Sequence, residues 1–228
     1  MKMPLSIRGI KDVFWNPRSF FDELGDEPKI WPSIIIPYMI LLAFLFFWYY
    51  TVVEVIAMRQ VASGNLSPVY LEYISRFGTD SLIGAIKKQH LIWYGGWVLF
   101  KPLVMAAIGY FFGKLINKGF RYSLALALIL YGELVFRLSD IISSLIIILK
   151  ITPNVTLSLG ALLAPAITNP ALNNLLLLSN PFLIWEVVVV AIGFSAVLHC
   201  SRRRAVQLSI LSVCTLLFLK IFISLWSS

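Results

Sequence analysis

Charge is scarce in this sequence, and that scarcity excludes an ordinary soluble domain. Only 13% of its 228 residues are Asp, Glu, Lys or Arg, whereas 59% are hydrophobic. Soluble domains have about 25% charged and about 45–50% apolar residues. A water-soluble chain of this length would need more polar surface, so the composition predicts an integral membrane protein.

Cysteine and histidine are also rare, which excludes most metal and redox chemistry. The two cysteines, Cys200 and Cys214, are 14 positions apart and form no CxxC pair. His199 adjoins Cys200, while His90 is far away in the sequence. Two neighbouring donors are too few for a structural zinc site. We therefore expect no bound metal and no cofactor.

Recognisable catalytic motifs are missing as well. No HExxH, Walker, GxSxG or DxD-like pattern occurs in the chain. The Ser, His and Asp residues that are present do not fall into a motif that would place them together. The sequence therefore predicts a protein that is not an enzyme.

Long apolar runs, in contrast, are plentiful. About 20 apolar residues are needed for a helix to cross the hydrocarbon core of a bilayer, and we find five such runs. They predict an all-α fold, a polytopic bundle of five transmembrane helices over residues 31–228 that follows an N-terminal segment, residues 1–30. The predicted spans are about 31–58, 91–112, 122–149, 181–199 and 205–226.

The basic residues are divided unevenly between the two sides of this topology. Eleven fall on the side of the N-terminus, including Arg202, Arg203 and Arg204, and five fall in the longer loops of the other side. Because Lys and Arg collect on the cytoplasmic side, we predict a cytoplasmic N-terminus and an outer C-terminus. The net charge of +8 then suits the lipid bilayer and its anionic headgroups, which the three arginines are expected to face. We find no nucleic-acid-binding module.

The N-terminal segment has a helical pattern of its own. Asn16-Pro17 is typical of a helix start, with Asn as the cap and Pro in the first turn. We interpret residues 1–30 as a pair of short amphipathic helices in the cytoplasmic interface; a plain linker is the alternative. The side chains expected on the apolar side of the second helix are Phe20, Phe21 and Leu24.

The stretch 151–185 carries no charge and is interrupted by four prolines. We predict a short helix on the outer surface from about residue 170 to residue 179. A re-entrant hairpin is the alternative, since irregular backbone is tolerated at membrane depth where protein or water satisfies it.

The third predicted span carries three charges inside an apolar run. Glu133, Arg137 and Asp140 are spaced i, i+4 and i+7, which places them along one narrow side of a helix. A charge that faces lipid costs about 2.5–3.5 kcal/mol or more, so we expect this side to face the bundle interior. Its candidate partners on other spans, which bring the sum of the six charges to zero, are Lys101, Glu186 and Lys220.

Depth in the membrane predicts which of these six charges meet. At a rise of about 1.5 Å per residue, each charge can be placed by its distance from the end of its span. The predicted pairs are Lys101–Glu133, Arg137–Asp140 and Glu186–Lys220. Two interpretations of this intramembrane charged cluster stay open: contacts that fix which spans are neighbours, or a polar path for a proton, an ion or a small solute.

Small residues recur at helical spacing in two spans. Gly109 and Gly113 form a GxxxG motif in the second span, and Ala191 and Ser195 repeat the spacing in the fourth. Such spacing allows close helix packing. It does not say whether the contact is within one chain or between copies, so self-association and contact with other membrane proteins stay open.

The C-terminal part carries a pattern with a family resemblance. "NPFLIWEVVVVAIGFSAVLHCSRRRA", with Phe182, Trp185, Gly193 and the arginines before Ala205, resembles the last two spans of the Yip-domain membrane family, named for Ypt/Rab-interacting proteins. "VFWNPRSFFDEL" resembles the segment that opens its prokaryotic members. The resemblance implies a small multi-pass protein of the prokaryotic plasma membrane.

The chain departs from the eukaryotic members at the features associated with GTPase partners. Those members have a long cytosolic N-terminal region with an Asp-Leu-Tyr-Gly-Pro motif, whereas 30 residues precede the first span here and the motif is absent. Their third span has Gly-Tyr followed by proline, but Tyr131-Gly132 is reversed and no proline follows through Leu149. We therefore expect a membrane-organising or adaptor role without GTPase binding; the alternative is a small-solute or ion transporter or channel subunit.

Overall fold

A computed structural model describes residues 11–25, 31–62, 68–150 and 180–226. Within these ranges every regular element is a helix, which confirms the all-α class. The helix predicted at about 170–179 lies outside the described residues.

Nine α-helices lie wholly within the described ranges, and two of the junctions are π-helical turns. Residues 11–15 are also helical. The first five helices are α1 (Pro17–Gly25), α2 (Trp31–Trp48), α3 (Glu54–Ala62), α4 (Pro68–Phe77) and α5 (Thr79–His90). The last four are α6 (Gly96–Ile116), α7 (Tyr122–Lys150), α8 (Pro181–Leu198) and α9 (Arg202–Trp226). The π-helical turns, Tyr49–Val53 and Leu91–Gly95, join α2 to α3 and α5 to α6 without a break.

Three stretches of described helix are long and apolar enough to cross a membrane, judged by length and composition alone. They are Trp31–Arg59, Gly96–Ile116 and Pro181–Leu198, and they correspond to the first, second and fourth predicted spans. The second span was predicted to begin at about residue 91, but its helix continues back to Thr79 because the π-helical turn connects it to α5.

The main core lies between α1, α2 and the four helices from α6 to α9. Helix α7 is central: residues 124–135 are all buried, and the helix packs against α2, α6 and α8. A helix that is apolar all around is expected to be surrounded by protein or lipid. Residues 124–135 of α7 are surrounded by protein.

Two glycines allow α7 and α8 to approach closely. A Cβ atom on Gly132 would lie 2.5 Å from Val190 Cγ2, and one on Gly193 would lie 2.5 Å from Leu128 Cδ2. Contacts this short are not compatible with the dense packing of protein interiors. The close approach at Gly132 brings the neighbouring Glu133 of α7 to the level of Glu186 on α8, since the Glu186 Cγ atom would be 3.4 Å from the same added Cβ.

The N-terminal segment follows α8 rather than lying across one end of the bundle. Phe14 borders an apolar cavity of about 350 Å³ with Pro181 and Trp185 near the start of α8. Phe21 lies beside Gly193, which is about 12 Å beyond Trp185 along that helix at 1.5 Å per residue. The expectation that the apolar side of this segment enters the lipid interface is therefore wrong for α1. Its buried side chains, which contact the core instead, are Phe20, Phe21 and Leu24.

Helices α3, α4 and α5 form a second, smaller cluster. Its buried residues are Ala57, Leu82 and Ile86, and α4 has no buried residue at all. An ion pair between Lys87 Nζ and Glu54 Oε2, at 2.9 Å, connects α5 to α3. The sequence predicted only a loop here, because α4 and α5 have 10 and 12 residues and are too short to register as spans.

Candidate functional site

The charged side of α7 faces the neighbouring helices. Glu133 and Arg137 are 0% and 4% exposed. Lys101 reaches them from α6, and Glu186 reaches them from α8; both are buried. The side chain of Asp140 is 24% exposed, so the charged side begins near the surface of the protein and ends in its interior.

Five side chains form a chain of contacts in which the sign of the charge alternates. Lys101 Nζ contacts Glu133 Oε1 and lies 3.8 Å from Glu186 Oε1. Arg137 Nη2 donates to Glu133 Oε2 at 2.7 Å, and its Nη1 donates to Asp140 Oδ2 at 2.5 Å. The order is Glu186, Lys101, Glu133, Arg137 and Asp140, and we call these residues the ion-pair chain.

The alternating order has a direct electrostatic consequence. Each of the three middle members of the series, Lys101, Glu133 and Arg137, lies between two groups of opposite charge. A buried charge is tolerated when it is paired and hydrogen-bonded, because the alternative is several kcal/mol of lost hydration. The ring of Phe136 adds a contact with both cations, with its centroid 4.7 Å from Lys101 Nζ and 5.3 Å from Arg137 Cζ.

Glu186 is the fully buried end of the ion-pair chain, opposite the partly exposed Asp140. Among the described residues, neither of its carboxylate oxygens has a hydrogen-bond partner. When all five residues are ionised, two bases and three acids leave them one positive charge short of neutrality. The predicted pair Glu186–Lys220 would supply that charge, but the Lys220 side chain lies outside the described part of the structure. The contact of Glu186 with Lys101 is one that membrane depth did not predict.

A proline directly follows Lys101 in the sequence. Pro102 lies inside α6 and has no N–H, so the helix loses one backbone hydrogen bond and is opened at this level. The hydroxyl of Tyr38 on α2 donates to the carbonyl of Leu99 at 3.2 Å. This hydrogen bond attaches α2 to α6 within one turn of Lys101.

Gly109 and Gly113 contact other parts of the same chain. A Cβ atom on Gly109 would lie 2.8 Å from the Phe194 ring and 2.9 Å from Ser212 Oγ, and one on Gly113 would lie 2.7 Å from the Phe120 ring. The motif therefore brings α6 close to α8, to α9 and to the connection before α7. These contacts account for its small residues without a second copy.

Two polar contacts near the ion-pair chain were not predicted. Asn180 accepts a hydrogen bond from the Phe182 N–H at 2.9 Å, as expected for the cap of α8, but its Nδ2 also donates to Ser139 Oγ at 2.8 Å on α7. Ser209 Oγ on α9 donates to the Val187 carbonyl of α8 at 2.6 Å. The Asn180-Pro181 pair indicates the cap in the sequence. The contact of Asn180 with Ser139 on α7 joins residues 41 positions apart, and no local sequence pattern predicts it.

Basic side chains gather where α9 begins. Arg202, Arg203 and Arg204 form its first turn and are exposed. Arg18 of α1 and Arg202 border a groove of about 400 Å³ between α1, α8 and α9. The described structure thus has two candidate sites: the buried ion-pair chain and this basic groove.

The described helices define an all-helical, multi-pass membrane protein. Its family follows from the comparison of sequences: the Yip1 domain matches residues 11–224, which is nearly the whole chain. The protein therefore belongs to the Yip1 domain family, which confirms the resemblance seen in its last two helices. Members of this family are generally non-enzymatic membrane proteins. Searches of the curated proteins and of the solved structures found no match to this chain.

Proposed function

We propose that this Yip1 domain protein is a non-enzymatic membrane-organising or adaptor protein in which the ion-pair chain stabilises the arrangement of the helices. The observation that supports the proposal is the burial of the chain. Four of its five members are 0–4% exposed, and the three middle members each contact opposite charge on both sides. Groups arranged in this way fix the neighbours of α7.

The proposed topology has five spans, with α7 and α9 added to the three that length and composition identify. These helices have 29 and 25 residues, more than the roughly 20 that cross a bilayer. Glu133 and Arg137 do not oppose the insertion of α7, because protein surrounds both side chains. The uneven distribution of Lys and Arg supports a cytoplasmic N-terminus and an outer C-terminus, in a prokaryotic plasma membrane.

The adaptor role uses the cytoplasmic side of this topology. The exposed residues Arg202, Arg203 and Arg204 would contact anionic headgroups or an acidic partner. A GTPase partner is not part of the proposal, since Tyr131 is fully buried with its ring 4.7 Å from that of Phe20. Gly132 is likewise in packing contact with α8.

Reconstitution into sealed proteoliposomes tests the structural role of the ion-pair chain. We expect no protein-dependent flux of protons, sodium, potassium or phosphate down imposed gradients, either for the natural protein or for Glu133→Gln. We expect Glu133→Gln to lower the stability of the folded protein. Flux that is present in the natural protein and absent from a folded Glu133→Gln variant would contradict the proposal.

A transporter or channel subunit is the second candidate. The observation that favours it is the carboxylate of Glu186, at the buried end of the ion-pair chain. This carboxylate has no hydrogen-bond partner in the described ranges. Such a group is a candidate for transient binding of a proton or cation. This function predicts flux that Glu186→Gln abolishes while the protein stays folded.

Co-purification from native membranes tests the adaptor role itself. The natural protein should retain a membrane partner that is lost when Arg202, Arg203 and Arg204 are all replaced by glutamine. A partner retained equally by the triple variant would show that these arginines do not form the adaptor surface.

A further inference from the structure

The basic groove between α1, α8 and α9 has an apolar wall and a few polar side chains in its lining. Its volume of about 400 Å³ falls within the roughly 300–1,000 Å³ that is typical of small-molecule pockets. Helices α8 and α9 supply the wall through Val188, Ala191, Ile192 and Val206. The polar groups that line it are Arg18, Ser195 and Arg202.

The two arginines come from different helices and face the same groove. Arg18 has an ion pair with Asp22 at 4.0 Å, and both side chains are at least half exposed. The pair is therefore weak and leaves the guanidinium able to bind an anion. Arg202 is the first residue of α9, where a positive charge opposes the helix dipole. The position of Arg202 therefore does not stabilise α9. A negatively charged ligand in the groove would contact the guanidinium groups of both Arg18 and Arg202.

We propose that the groove binds one anionic phospholipid, with its phosphate between Arg18 and Arg202 and one acyl chain along the apolar wall. Guanidinium groups recognise phosphate oxygens through paired hydrogen bonds. The wall runs along α8 from Ser195 to Val188, about 10 Å at 1.5 Å per residue, so it contacts several methylene groups. A free phosphate ion would leave this wall unused.

This inference deepens the proposed function, because it turns a general attraction to anionic headgroups into a discrete site. It depends on the proposed topology only for the leaflet that supplies the lipid. The groove itself is a feature of the described helices and does not depend on how many of them cross the membrane.

Native mass spectrometry of the purified protein in mixed micelles tests the site, with phosphatidylglycerol and phosphatidylcholine as the two probes. We expect one retained phosphatidylglycerol and no retained phosphatidylcholine. Arg202→Ala should weaken phosphatidylglycerol binding about tenfold, the loss of one charge-assisted contact. Arg121→Ala is the matched control, since it removes the same charge from an exposed position that does not line the groove.

A second variant tests the apolar wall separately. Val206 is 43% exposed, so Val206→Trp should fold, fill the groove and remove the retained lipid while both arginines remain. Glycerol phosphate, the free headgroup, should not displace the lipid. Equal loss for Arg202→Ala and Arg121→Ala, or retention by folded Val206→Trp, would overturn the proposal. Flux in proteoliposomes would instead contradict the proposed function and leave the lipid result unaffected.

Discussion

Two ion pairs with the same spacing occupy opposite environments in this protein. Glu72 and Arg76 on α4 are an i, i+4 pair with an N–O distance of 2.5 Å, and their side chains are 61% and 67% exposed. Glu133 and Arg137 on α7 have the same order, the same spacing and an N–O distance of 2.7 Å, but are 0% and 5% exposed. The comparison shows that spacing determines whether the pair forms. Burial determines how much stability is lost when one partner is removed.

The energetic contrast follows from hydration. An exposed pair loses little when one partner is removed, because water solvates the other, and such pairs contribute about 0–1 kcal/mol. Removal of one member of a buried pair leaves a charge without compensation and costs about 3–5 kcal/mol. The ion-pair chain is therefore expected to be essential for the bundle, whereas the pair on α4 is expected to be dispensable.

The largest expected effect is that of Glu133→Ala. This change leaves both Lys101 and Arg137 without their shared acid, so the free energy of unfolding should fall by about 3–5 kcal/mol. Unfolding in detergent, followed by circular dichroism, measures it. Glu72→Ala is the matched control with an expected loss of under about 1 kcal/mol; similar losses for the two variants would show that burial is not the deciding factor.

The next effect concerns the missing positive charge. If Lys220 pairs with Glu186 as predicted, Lys220→Ala should lower the free energy of unfolding by about 1–3 kcal/mol, the cost of a buried charged group without a partner. Addition of Glu186→Gln should recover part of that loss. Unfolding of the single and double variants under the same conditions tests the pair; no recovery in the double variant means that Lys220 does not neutralise Glu186.

A similar or smaller effect is expected from Gly132→Ala. Its new Cβ would lie 2.5 Å from Val190 Cγ2, and overpacking of this kind costs about 1–3 kcal/mol. Gly84→Ala on α5 is the control, because its Cβ would meet nothing within 4 Å; it should stabilise the helix by about 0.5–1 kcal/mol. Thermal unfolding of both variants should shift in opposite directions. A shift in the same direction would contradict the close approach of α7 and α8.

The smallest effect is that of Arg76→Ala on α4. We expect a loss of under about 1 kcal/mol, and we expect it to shrink further at high ionic strength because salt screens exposed charges. Unfolding measured at low and high salt tests this expectation. A loss that is large or independent of salt would indicate that α4 is buried by something other than the described residues.

The helices of the bundle could be predicted from the sequence, because apolar runs report their length directly. Helix α7 begins at Tyr122 as predicted and ends at Lys150, one residue later than predicted. The sequence also predicted that Glu133 and Arg137 face the bundle interior, because a charge that faces lipid is costly. What the sequence could not provide is the lateral order of the helices.

Lateral order explains the contact at Glu186. Depth alone placed Glu186 with Lys220, but depth does not say which helices are side by side. The close approach at Gly132 brings α8 against α7, so Glu186 reaches Lys101, the partner of Glu133. Such a contact depends on the missing Cβ atoms of Gly132 and Gly193, which hydropathy does not report.

The N-terminal segment shows a second limit of sequence reasoning. The spacing of Phe20, Phe21 and Leu24 predicts a helix with one apolar side, and α1 has that side. Amphipathic spacing is the same whether the apolar side contacts lipid or protein. Contacts with Tyr131 and Gly193 decide the matter here, and both residues are more than 100 positions away in the chain.

A double-mutant cycle between Lys101 and Glu133 tests most directly whether the ion-pair chain stabilises the bundle. The free energies of unfolding of Lys101→Ala, Glu133→Ala and the double variant are compared with that of the natural protein. We predict that the double variant loses less than the sum of the single losses, by about 1–3 kcal/mol, since removal of both charges leaves less uncompensated charge than removal of either. Losses that add within about 0.5 kcal/mol would contradict the account, because the two residues would then act independently.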